Sequence, residues 1–212
     1  MTVSYPLTMP TSPAPRSTRF ALRNVVGMAQ SPFTLSTQVQ AFQGQQWQVE
    51  VALPRMSRAQ AATWQAFILK CRGKYGTFYM GDWDAETPRG VATGTPTANF
   101  AGSPPVNAAG DRIFYTTGWT GITVNILLEG DYIQIGSGAS QTLHMVVNDA
   151  SSDSNGDLTL DIELALRADI ATGTTVITAS TKGRFRLAAN DIGWDSDYAI
   201  RYGFSFAAIE AQ

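Results

Sequence analysis

The sequence predicts a mainly β fold with one helix, an α+β chain, and three observations carry that prediction. Short apolar alternations recur at 132–135, 143–147 and 158–162, and side chains on a strand alternate faces with this period of two. Nineteen Gly and ten Pro, among many Ser and Thr, supply turns at short intervals and disfavour a helix bundle. Only one segment, 57–72, combines a helix start signal with apolar residues at helical spacing.

In chain order, Pro6, Pro10, Pro13 and Pro15 make residues 1–18 an extended arm rather than a packed element, either a frayed terminus or an arm lying over a neighbouring subunit. RFALRNVV (19–26) reads as the first strand. LSTQVQAF (35–42) places Leu35, Thr37, Val39 and Ala41 on one face, and WQVEVAL (47–53) places Trp47, Val49, Val51 and Leu53 on one face. Gln43-Gly44-Gln45 between these runs predicts a β-hairpin turn. Gln38, Gln40, Gln43, Gln45, Gln46 and Gln48 give this region a polar but uncharged face. A solvated face usually carries Lys and Glu, so these amides and Val39 are the candidate subunit interface.

Pro54 closes the strand and Ser57 opens the helix. Ser57 with Gln60 three residues on matches a capping box. Trp64, Phe67, Ile68 and Cys71 form one apolar stripe, and Gly73 is placed for the left-handed residue that ends the helix. Cys71 then fills core.

KYGTFYMGDWD (74–84) reads as a strand entering a turn, and 85–110 as a long surface loop without periodicity. Strand-like runs resume at RIFYTT (112–117) and ITVNILLEG (122–130). In the stretch 128–187, Ile133 and Ile135 line one side of a half-buried sheet, as do Leu143, Met145 and Val147. Asn155-Gly156 suits a tight hairpin turn, and KGRFRL completes a small antiparallel β-domain. The last strand, within YAIRYGFSFAAIEA (198–211), sets Ile200, Tyr202, Phe204 and Phe206 against Ala199, Arg201, Gly203 and Ser205. So apolar a strand needs a partner sheet, and the N-terminal hairpin and helix offer one. The expected organisation is a β-sandwich domain of residues 1–85 plus 186–212, with a small antiparallel β-domain, 86–185, inserted.

Composition narrows the function. A chain of 212 residues can bury a sizeable core. A net charge of −2 argues against gripping nucleic acid through its phosphates. No apolar run is long enough to span a membrane, no basic-then-apolar leader is present, and the single Cys fits a reducing cytoplasm.

A search for chemistry finds little. His144 lies within an apolar alternation, opposite the Leu143 face, and reads as a half-exposed strand histidine with no second His for a metal or catalytic pair. Asp149, Asp153, Asn155 and Asp157 fail the calcium-loop template, which needs a Gly sixth and a Glu twelfth, and read as a hairpin loop built from turn residues, with a weak calcium site as the other reading. Gly81-Asp82-Trp83-Asp84 and Gly193-Trp194-Asp195-Ser196-Asp197 set carboxylates beside Trp, as a sugar-processing groove does, but also as strands end. No phosphate loop, dinucleotide fingerprint or nucleophile elbow occurs. The expectation is no enzyme, with no catalytic, cofactor or metal residues.

The segment STQVQAFQGQQWQVEVALPRMSRAQAATWQAFILKCRGKYGTFYMGD, the GDYIQIG-to-GRFRL stretch and the closing YAIRYGFSFAAIEA together resemble the distal tail proteins of siphophages, bacteriophages with long non-contractile tails. The resemblance covers nearly the whole chain beyond the Pro-rich start. It implies a ring-forming β-sandwich domain with a helix and a smaller projecting β-domain. It further implies a homo-oligomer, a hexameric ring at the virion's tail tip, assembled in the host cytoplasm. The implied partners are the tail tube protein, hub and tail-tip proteins and the tape measure protein, with DNA passing through the lumen unbound. It carries no catalytic motif. Two other readings stand beside it: a carbohydrate-binding tail adhesin holding sugar on Trp83, Trp119 or Trp194, and another minor tail component of the tube or terminator. A tail-associated hydrolase using Asp82 and Asp195 is a further rival.

Overall fold

The computed structural model describes residues 3–99, 107–196 and 202–211. It is mainly β with a single α-helix among the described residues, organised as two six-stranded sheets. The first sheet has the order β1-β4-β11-β14-β3-β2, from β1 (Leu7–Thr8), β2 (Ser17–Gln30), β3 (Thr37–Ala52), β4 (Thr77–Met80), β11 (Gly183–Leu187) and β14 (Ser205–Glu210). The second has the order β10-β7-β8-β9-β6-β5, from β5 (Gly94–Ala98), β6 (Ile113–Trp119), β7 (Tyr132–Ile135), β8 (Thr142–Val146), β9 (Leu158–Glu163) and β10 (Val176–Ile177). A two-stranded pair, β12 (Asp195–Ser196) with β13 (Tyr202–Gly203), stands apart.

The helix α1 (Arg58–Cys71) begins where sequence chemistry places it. The Ser57 N–H donates to Gln60 Oε1 at 3.1 Å, as the capping motif requires. Its end differs by one residue. Arg72 takes the left-handed cap (φ 51°) and Gly73 follows, also at positive φ. Ala61, Trp64, Phe67, Ile68 and Cys71 are the buried stripe. Phe67 meets Phe78 of β4 edge-on at 5.2 Å, and Trp64 meets Phe206 of β14 at 6.3 Å. Ile68→Ala is expected to cost about 2–5 kcal/mol as a large-to-small core change; an unaltered melting temperature would contradict this packing.

The same face of the first sheet also receives the second sheet. Trp47 of β3 touches Tyr132 of β7 at 6.1 Å and its indole N–H donates to the Leu143 carbonyl at 2.9 Å. β7 and β8 are therefore buried on both faces. Their register pairs Tyr132 with Met145 and Gln134 with Leu143 on the side toward the first sheet, and Ile133 with His144 on the other. That other side is the interior of the second sheet, which curls nearly into a barrel. Thr97 at the β5 end bridges Thr175 beside β10, and the interior is filled by Phe114, Ile126, Leu127, Ile133, Leu160 and Ile162.

This two-sided burial corrects the half-exposed histidine. His144 has no exposed surface, and Val147, expected inside, is partly exposed beyond the strand's end. Several other expectations also change. No turn forms at Gln43-Gly44-Gln45: β3 runs unbroken through it, and the hairpin turns at 31–36 instead. The ladder shifts register here, between Asn24 and Val26, but pairing with β2 resumes on the far side and outweighs a local turn preference. The N-terminal segment packs on its own chain. Leu7 and Thr8 pair in parallel with Phe78 and Tyr79, Met9 is buried, and Tyr5 donates its hydroxyl to the Lys70 carbonyl. The 85–110 loop contains β5, paired to β6, whereas 122–130 holds turns instead of a strand. GRFRL is a strand of the first sheet, between β4 and β14, and leaves the expected inserted domain. A boundary at 185/186 therefore falls inside β11. β14 pairs with β3, so the C-terminal segment returns to the N-terminal sheet. Ala199, Ile200 and Arg201 lie outside the described residues.

Candidate interaction surface

The longest element pair in the chain is the β2–β3 hairpin, and half of it leaves the body of the protein. β14 pairs with β3 only over 48–52. Before Gln48, among the described residues, no strand lies against β3 other than β2, and the outer edge of β2 is unpaired throughout. The distal half, 25–30 with 37–44, thus presents two open edges. At its tip the Ser31 N–H donates to the Ser36 carbonyl at 2.9 Å and Leu35 adopts a left-handed conformation.

The arm has two unlike faces, set by register. Val26 opposes Ala41, Met28 opposes Val39 and Gln30 opposes Thr37, all on one side. The same parity along β3 carries Trp47, Val49 and Val51 into the core, so the core-facing stripe continues outward after the core has ended. Met28 is 71% exposed, Val39 60%, and Phe33 at the tip 94%. The opposite face carries Gln38 with Ala29 and Gln40 with Gly27; a Cβ at Gly27 would sit 3.3 Å from the Phe42 ring. No charged residue occurs from Asn24 to Val49. Exposed strand edges normally carry charge, Pro or a covering element against unwanted pairing.

Buried polar contacts hold the arm's base. Gln45 is only 4% exposed. Its amide N–H donates to Asn24 Oδ1 (2.6 Å) and Glu163 Oε2 (3.1 Å), and its Oε1 accepts the Ala165 N–H (3.0 Å). Arg167 donates to the Gln45 carbonyl and, at 2.7 Å, to Glu210 Oε2. Burial pushes the Glu210 carboxyl above the usual glutamate range, against the lowering effect of Arg167. The arm is thus anchored to β9, the strand-following loop and the C-terminal strand together.

The predicted interface residues divide accordingly. Gln38, Val39, Gln40 and Gln43 are exposed on the arm. Gln45 is withdrawn from the interface as an internal anchor, because its polar atoms are satisfied within the chain. Gln46 is partly buried, donating to the Glu210 carbonyl at 3.0 Å, and Gln48 lies half-buried where β14 pairs. Val26, Met28, Phe33 and Phe42 were not singled out from the sequence. The charge-free run from Asn24 to Val49 was the available signal.

The other candidates fare unevenly. Trp119 is 5% exposed with its indole N–H on Thr116 Oγ1 at 2.7 Å, so it is barrel core and cannot stack on a sugar. Trp194 leans on Phe204 at 6.1 Å and is partly exposed. Trp83 lines a groove with Asp82, and neither Trp194 nor Asp195 reaches that groove. Asp153 accepts the N–H groups of Asn155 and Asp157 at 2.8 and 2.9 Å. These hydrogen bonds lower its pKa and make the loop a turn. Gly156 completes that turn at φ 78°, where a Cβ would lie 2.3 Å from the Trp119 carbonyl oxygen. Cys71 is buried and its thiol is pushed up to about 12, which suits core filling. Among the described residues no group of three His, Cys, Asp or Glu side chains is placed to hold a metal. Asp131, unremarked in the sequence, anchors a loop: its carboxylate accepts the N–H groups of Arg89 (2.8 Å), Gly90 (3.1 Å) and Leu128 (2.9 Å).

No protein-family model and no curated protein matches this chain. The arm therefore stands as the surface on which a functional reading turns.

Proposed function

We propose that the chain is a structural virion protein, a distal tail subunit whose copies form a ring joining the tail tube to the tail-tip hub of a siphophage. The observation that carries the reading is the arm: the two-edged, charge-free distal half of the hairpin, whose core-like stripe runs on with no strand among the described residues lying against it other than its own two. The sequence resemblance supplies the tail-tip setting and the hexamer.

The mechanism is geometric. The outer edge of β2 and the distal edge of β3 both offer unpaired N–H and C=O groups, so the arm of one copy can add to the arm of the next. The two edges differ, so the contact is heterologous, and heterologous contacts close into a ring when the rotation permits. The Met28–Val39 stripe then gains the cover it lacks. A lumen edged by amides and hydroxyls rather than cations lets DNA pass without phosphate neutralisation. Tail tube, tape measure and hub proteins are the partners of the two ring faces.

Sedimentation velocity and negative-stain imaging of the purified chain test this. Closed rings of uniform size, six subunits each, are expected. A strict monomer at high concentration, with no copy at the tail tip of particles, would remove the reading.

A further inference from the structure

We propose a saccharide-binding site in the groove where three distant segments meet: 8–11, 79–86 and 180–182. None of its lining residues lies on the arm. Its walls are built by backbone. β1 lies beside β4 with Thr8 opposite Tyr79, the Ser180 N–H donates to the Glu86 carbonyl, and Gly81 lies so close to 181 that a Cβ would come within 1.9 Å of the Thr181 oxygen. Gln134 Oε1 accepts the Lys182 N–H at 2.9 Å and Gln141 donates to the Lys182 carbonyl at 2.8 Å, which pins the third wall to the second sheet.

Its chemistry suits a neutral polyol ring. Trp83, half-buried against the first core, offers an aromatic face of the kind that takes the C–H side of a pyranose. Asp82 and Glu86 accept hydrogen bonds from hydroxyls, and the Lys182 ammonium donates them. Among the described residues Glu86 and Lys182 have no ion-pair partner, and one Asp82 oxygen already accepts the Asp84 N–H at 3.1 Å. Two carboxylates disfavour an anionic ligand. The cavity of about 150 Å³ falls below the ~300–1,000 Å³ of drug-sized pockets, so it admits one small ring rather than a long chain.

The test titrates the intact protein with methyl glycosides of glucose, galactose and N-acetylglucosamine, followed by saturation-transfer NMR and tryptophan fluorescence. Saturable binding by at least one glycoside is expected, lost in Trp83→Ala and kept in Trp194→Ala. Because Trp83 touches core, Glu86→Gln and Lys182→Met, both at exposed positions, give the second reading. Each is expected to weaken binding about tenfold with an unchanged circular dichroism spectrum, the loss of one hydrogen bond to a charged group. No saturable binding by any of the three, or binding indifferent to Trp83, Glu86 and Lys182, overturns the site. Preferential binding of inorganic phosphate or a diamine overturns the ligand class.

Discussion

Lysines at both Met28 and Val39 are expected to leave a folded monomer that forms no rings. The two side chains oppose each other across the arm and are largely exposed, so neither substitution removes a core contact. Surface changes of this kind stay within about 0.5 kcal/mol, and a like-charged cross-strand pair adds a few tenths more. Circular dichroism and melting should therefore barely move. In a ring the same lysines enter every repeated contact. Each buried ammonium carries a desolvation penalty of several kcal/mol, with no acid on the arm to offset it. Sedimentation velocity beside the wild type reads the result. A matched control places lysines at Ile122 and Val124, equally exposed on the second sheet's loops; that protein should still assemble. Rings that survive the Met28/Val39 change would show that the arm is not the contact.

The second large effect is on acid stability. His144 sits inside the barrel, with Nδ1 2.7 Å from the Leu164 carbonyl and Nε2 2.8 Å from Thr142 Oγ1. A carbonyl only accepts, so Nδ1 carries the proton and Nε2 accepts from the Thr142 hydroxyl. Burial lowers the pKa to about 4, reinforced by Arg167 and opposed by the Leu164 hydrogen bond. The folded state therefore resists a proton that the unfolded chain takes up near pH 6.5. Stability from this group is fully present above pH 6.5 and is lost as pH falls toward 4. A shift from 6.5 to about 4 corresponds to roughly 3 kcal/mol at 1.36 kcal/mol per unit. Glu210 acts in the opposite sense, because a raised carboxyl pKa favours the folded protein on acidification through that pKa. Urea unfolding of wild type and His144→Asn at several pH values separates the two. The variant should show a shallower loss between pH 6.5 and 4, whatever it costs at neutral pH. An NMR titration of His144 with a midpoint near 6.5 in the folded protein would contradict this account.

Local chemistry made much of this protein legible in its sequence. The helix follows from Ser57, Gln60 and the Trp64–Cys71 stripe, because capping and periodicity depend on residues within a few positions of each other. The strands at 132–135, 143–147 and 158–162 follow from alternation in the same way, and the uncharged amide face pointed toward the arm. Tertiary structure alone decided which neighbours those elements would have. His144 alternates as a surface residue would, yet a barrel closes over one side of β8 and the first sheet over the other. Gln43-Gly44-Gln45 has turn composition, yet it forms an irregularity in the ladder to β2, and β3 continues beyond it. Gln45 and Gln38 look alike in sequence. One is fixed by Asn24, Glu163 and Ala165 at the arm's base, while the other stays exposed farther out on the arm. Trp83 and Trp119 likewise differ only in what the distant chain brings to them: a groove for the first, a packed barrel for the second. Residue type and spacing set the elements. The hydrogen-bonded register of strands far apart in sequence set which faces are covered and which remain open.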